Sequence, residues 1–143
     1  MSRAVESGVI FIARIALAVM FLWGAAMKAL GYASFVGYLQ ARGVPFVAFA
    51  APLVVAIELL GGVCLVVGLR IRSVGLILAI YTVATAILGH DFWNVTDAAL
   101  QRDMVVHFWK NIAIAGGFLL LTVTGAGRIS IDGARAPRSG LNL

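Results

Sequence analysis

A chain of 143 residues that is 62% hydrophobic and 12% charged, with a mean hydropathy of +1.04, is far more apolar than a soluble domain, in which about a quarter of the residues are charged. Its net charge of +5 would suggest nucleic acid in a soluble protein, but the basic residues sit at the ends of apolar runs and in short connections. The lipid bilayer therefore explains them, and nucleic acid is set aside as a partner.

The first apolar stretch runs over residues 8–30, broken only by Arg14 and Lys28. It is longer than the ~7–15 residues of a signal-peptide core, so it reads as a retained span although Arg3 precedes it. In the connection that follows, Tyr32, Phe35, Tyr38 and Leu39 fall at helical spacing and predict a short helix lying in the interface. Gly43-Val44-Pro45 then breaks the chain.

Span two covers residues 46–69, and Glu58 is its only charge. A carboxylate at bilayer depth costs roughly 2.5–3.5 kcal/mol on insertion scales, so it needs a partner or a function. Cys64 lies in the same run; as the single cysteine it allows no intrachain disulfide and no dithiol chemistry, and it reads as a small packing residue. Arg70-Ile71-Arg72-Ser73 is a tight turn into span three, residues 74–89. A polar loop over residues 90–103 carries Phe92 and Trp93 as interface aromatics. Span four covers residues 104–124 and stops at Gly125-Ala126-Gly127. Residues 1–133 thus form one domain, and 134–143 read as a flexible tail.

The fold class is an all-α, integral-membrane four-helix bundle, antiparallel and up-down. Arg3, Arg70, Arg72, Arg128, Arg135 and Arg138 fall on one side, which places both termini in the cytoplasm of a bacterial-type inner membrane. Gly61, Gly62, Gly75-x-x-x-Ala79 and Ala113-x-x-x-Gly117 mark positions where helices can approach closely.

Periodicity groups the polar residues. Arg14 and Lys28 share one face of span one; His107, Lys110, Asn111 and Ile114 share one face of span four. At ~1.5 Å rise per residue, Glu58 falls near the midplane and Arg14 roughly 7 Å toward the cytoplasm. Lys110 and Asn111 fall roughly 5–6 Å outward, and Lys28, His90 and His107 about 10–14 Å outward. The column suits a cavity open to the outside and closed below Glu58. Arg14 and Glu58 are the expected buried ion pair, Lys28 is expected to snorkel toward the headgroups, and the substrate-binding set is Arg14, Lys28, Glu58, His90, Lys110 and Asn111. Glu58, His107 and Lys110 are the candidates for proton chemistry. His90 and His107 match no metal-ligand spacing, so no metal site is expected.

Several motifs together resemble the DoxX family. They are an arginine early in span one, Gly24-x-x-x-Lys28, Glu58-x-x-Gly61-Gly62, His90-x-Phe92-Trp93, Phe108-x-Lys110-Asn111-x-Ala113-Ile114-x-Gly116-Gly117, and Gly125-x-Gly127-Arg128-x-Ser130-x-Asp132. The resemblance covers about residues 9–133 and implies a four-helix inner-membrane protein linked by name to quinol or thiosulfate oxidation. It implies a quinone-linked oxidoreductase component with quinone as ligand and a redox or larger membrane protein as partner, and it leaves a homodimer open. Two other readings stand beside it: an accessory subunit of a larger complex, and a binding or transport protein for a small solute.

Overall fold

A computed structural model describes residues 2–135. The expected flexible tail falls almost wholly on residues 136–143, outside the described residues. Helix α1 spans Arg3–Leu30; Ser2 caps it by accepting from the Val5 N–H, with Glu6 in the first turn and Lys28 in the last. Helix α2, Tyr32–Ala41, is the short helix expected between the first two spans. Helix α3, Val47–Val67, ends at Gly68 in a left-handed conformation, φ +71°. Helix α4 covers Ile71–Gly89, a 3₁₀ turn covers Phe92–Asn94, α5 covers Ala98–Thr124 and the short α6 covers Ile131–Arg135. Four of these helices are long and apolar enough to cross a membrane.

Helix α1 starts at Arg3, five residues before the apolar run read from residue 8, and two other starts differ from the sequence reading. Helix α5 starts six residues early, at Ala98 rather than residue 104, because Asp97 caps it by accepting from the Ala99 and Leu100 N–H groups. Helix α4 starts at Ile71, inside the expected turn, because its first amides are capped from elsewhere: Asp132 accepts from the Arg70 and Ile71 N–H groups, both at 2.9 Å. The actual turn is Gly68-Leu69-Arg70.

The helices pair as α1 along α3 and α4 along α5. Phe21 of α1 meets Phe118 of α5 edge-on at 5.2 Å and joins the two pairs around Leu65, Ile71, Leu78 and Leu121. The small residues act as read: a Cβ on Gly75 would lie 2.9 Å from the Phe118 carbonyl oxygen, and one on Gly61 would lie 2.7 Å from the Leu78 side chain. Ala113 is exposed and marks no contact.

The end of the bundle that holds the start of α1 and the short α6 is tied by a polar knot. Arg14 is fully buried and donates to the carbonyls of Ala126 (2.8 Å) and Ile129 (2.7 Å). Arg72 donates to the carbonyls of Thr122 and Val123, the Asp132 N–H donates to the Gly68 carbonyl, and Ser7 accepts from the Arg128 N–H. Gly68 has no room for a side chain, since a Cβ would strike the Arg14 guanidinium and Ser130. This corrects the expected Arg14–Glu58 pair. Arg14 lies about 21 Å along α1 from Lys28, and it is Lys28 that meets Glu58.

Candidate functional site

Glu58 projects from the middle of α3 and is 8% exposed. Two side chains converge on its carboxylate. Lys28 donates to Oε2 at 2.8 Å and to Oε1 at 3.0 Å, and the Tyr81 hydroxyl donates to Oε1 at 2.6 Å. A side chain on a helix leans toward the N-terminus of that helix. Lys28, in the last turn of α1, therefore carries its ammonium inward, and it does not snorkel outward as expected. The Phe35 ring of α2 sits 5.8 Å from the ammonium.

Gly24 explains the Gly-x-x-x-Lys spacing. Lys28 lies one turn above it, and a Cβ on Gly24 would be 3.0 Å from Glu58 Oε2 and 3.3 Å from Lys28 Nζ. The missing side chain makes room for the pair.

The triad forms the floor of a cavity of about 630 Å³ bounded by α1 and by the halves of α3 and α4 remote from their shared turn. These helices share a tight turn at the other end but pack along each other little, so they diverge toward the cavity. Its walls are mostly apolar, with Val54 and Ile57 on α3 and Leu88 on α4. Leu53 and Leu88 at its rim are 58% and 56% exposed, so the rim faces the hydrocarbon if the helices span a membrane. Helix α2 forms the roof through Phe35, Tyr38 and Arg42. The roof is latched to the end of α4: Tyr38 donates to the Gly89 carbonyl at 3.1 Å, and Arg42 pairs with Asp91.

The sequence-predicted residues divide into three groups. Lys28, Glu58, His90 and Asn111 line the cavity. His107 and Lys110 stand outside it: the His107 ring stacks on His90 at 5.2 Å, its Nδ1 lies 2.9 Å from Lys110 Nζ, and its Nε2 lies 3.5 Å from Asp103. Lys110 is exposed. Arg14 belongs to the knot at the opposite end. Among the described residues no group of three or more His, Cys, Asp or Glu side chains gathers to hold a metal ion.

Sequence reasoning missed Tyr81, the roof residues Phe35, Tyr38 and Arg42 as site residues, and the latch. Tyr81 had one available signal: it is the lone phenol of its span and is followed by Thr82 and Thr85, a run of hydroxyls inside an apolar helix.

Chemically, the floor offers a cation, a carboxylate and a phenol within mutual hydrogen-bond reach beneath an apolar chamber. It can hold a polar group at the end of a lipophilic molecule and exchange a proton with it.

The DoxX family model matches residues 9–91. The inner membrane protein YphA of Escherichia coli (strain K12) is 37% identical over 123 residues, which cover 86% of this chain and 87% of that protein. The inner membrane protein YqjF of the same organism is 37% identical over 130 residues, covering 91% and 94%. The ER-derived vesicles protein ERV29 of Saccharomyces cerevisiae is 29% identical over 109 residues, covering 73% of this chain and 34% of that protein. No solved structure matches the chain.

Proposed function

Since this chain belongs to the DoxX family of inner-membrane proteins, we propose that it is the membrane component of a quinone-linked oxidoreductase or quinone-detoxifying system. The cavity above Glu58 receives the quinone head group. The observation that carries this reading is the Lys28–Glu58–Tyr81 triad at the base of an apolar chamber whose rim is exposed leucine. A quinone is a flat apolar ring with a polar oxygen at each end, it travels in the hydrocarbon, and it takes up a proton with each electron. Lys28 holds the inner oxygen, Glu58 exchanges the proton, and His90 and Asn111 stand along the wall. A redox partner protein exchanges the electrons. The arginine-rich end faces the cytoplasm, so the cavity lies in the outer half of the membrane.

The test is purification in mild detergent, mass spectrometry of the extracted small molecules, and titration of the emptied protein with a short-chain quinone followed by intrinsic tryptophan fluorescence, to which Trp23 at the cavity wall contributes. Bound quinone and saturable quenching support the reading. Quenching that rises linearly, as lipid partition alone would give, refutes it.

A further inference from the structure

Counting donors and acceptors at the floor leaves one open acceptor beside one weakly engaged donor. A carboxylate oxygen offers two lone pairs, and an ammonium has three protons. Oε1 of Glu58 is filled, accepting from Lys28 and from Tyr81. Oε2 accepts only from Lys28, so one lone pair is open. Two of the Lys28 protons go to Glu58; the third reaches only the Gly24 carbonyl at 3.5 Å, at the limit of a hydrogen bond. The open acceptor and the underused donor are 2.8 Å apart. Both border the notch at Gly24, where an added Cβ would come 3.0 Å from Oε2 and 3.3 Å from Nζ, and Gly24, Lys28 and Glu58 all line the cavity.

We infer that this notch is a hydroxyl-recognition site, and that the cavity's ligand presents a phenolic O–H to it. A hydroxyl satisfies both positions at once, donating to Glu58 Oε2 and accepting from Lys28. A carbonyl oxygen can only accept, so it fills the Lys28 position and leaves the Oε2 lone pair facing an acceptor. An ether has the same deficit. The neighbouring Tyr81–Glu58 bond is an internal instance of the same pairing, a phenol on this carboxylate. The inference rests on the reading of the chamber as a site for a lipophilic ring, and it adds which oxidation state the site holds: the hydroquinone is bound in preference to the quinone.

Three probes on the wild-type protein in detergent test it: a 4-alkylphenol, its methyl ether and the matching alkylbenzene, titrated by intrinsic tryptophan fluorescence, alongside one short-chain quinone and its hydroquinone. A hydrogen bond to a charged group predicts that the phenol binds at least about ten-fold tighter than its ether, and the hydroquinone tighter than the quinone by a similar factor. Equal binding of phenol and ether overturns the hydroxyl site while leaving the ring-binding chamber standing. Binding of none of the five overturns the chamber reading itself. Gly24→Ala fills the notch and is predicted to erase the phenol-over-ether preference; a preference that survives in a folded variant overturns the assignment. The wild-type comparison decides the matter even if that variant does not fold.

Discussion

Glu58→Gln is the most direct probe of the triad. The substitution keeps the shape and removes the charge, so the Lys28 ammonium stays in place without its counter-ion. Breaking a buried ion pair from one side costs about 3–5 kcal/mol, because the remaining charge is left uncompensated. The Glu58 side chain is 10% exposed but that of Lys28 is 29% exposed, so the lysine has partial access to other solvation and the full figure does not apply. A discounted cost of about 2–3 kcal/mol follows. Lys28→Met alone strands the carboxylate in the same way, although Tyr81 still donates to it. The double variant strands neither group. The reasoning therefore predicts strong non-additivity: the double variant is less destabilised than the sum of the singles by about 1–3 kcal/mol. Denaturant titration in mixed detergent micelles, followed by helical circular dichroism, gives all four corners of the cycle. Additive losses would refute the ion-pair account, because they would mean that each residue acts through its own packing. A neutral Glu58→Gln would refute it as well.

Three further predictions concern the two ends of the bundle. Arg14→Ala removes the donor to the carbonyls of Ala126 and Ile129 and opens a cavity where a fully buried side chain stood, so it should cost about 3 kcal/mol and reduce expression of folded protein, read by size-exclusion chromatography. Asp132→Ala removes two bonds to the first amides of α4 and should cost about 1–2 kcal/mol, with faster amide exchange confined to Arg70–Val74 and the last helix. Arg42→Ala breaks a partly buried pair at the edge of the roof, so global stability should change by about 1 kcal/mol, while exchange protection of Tyr32–Ala41 falls and that of α4 and α5 does not. Loss of protection across the whole bundle would mean that α2 is integral to the core and not a roof latched onto it.

The fold was readable because lipid forces backbone groups to pair within each helix, so apolar length alone marks the spans. Glu58 was readable for the same reason: one charge in a membrane-length run has no neutral explanation. Its partner was not. Periodicity assigns a residue to a face, but Arg14 and Lys28 share a face, and the choice between them turns on height. Height depends on where α1 ends relative to α3 and on the inward lean of a lysine in a last turn, and neither is written in the spacing. Lys110 falls outside the cavity for a related reason. It shares a face with Asn111 by helical spacing, yet a face spans a wide arc, and only the Asn111 part of it turns toward the cavity. Tyr81 escaped notice because a tyrosine in an apolar run contributes to hydropathy as a ring, and its hydroxyl becomes visible only when a carboxylate is placed opposite.

The arrangement of the polar groups follows from how the two ends of the bundle are held. At the terminal end Arg14, Arg72 and Asp132 cross-link four segments through backbone carbonyls and amides, and Gly68 and Gly75 draw the helices into contact. Bonds to backbone groups fix the positions of helix ends regardless of what the opposite halves do. With α3 and α4 fixed there, they can separate toward the other end without the bundle coming apart, and the space between them becomes the cavity. Across that opening a polar fastening at the depth of the floor is the triad itself, joining α1, α3 and α4 through Lys28, Glu58 and Tyr81. Groups that hold the cavity end together are thus the groups that a ligand would engage. A ligand that competes for Glu58 or Lys28 would loosen that fastening while adding its own bonds in place of it. Ligand occupancy and the separation of α3 from α4 should therefore be coupled, with the terminal knot as the fixed end of the movement.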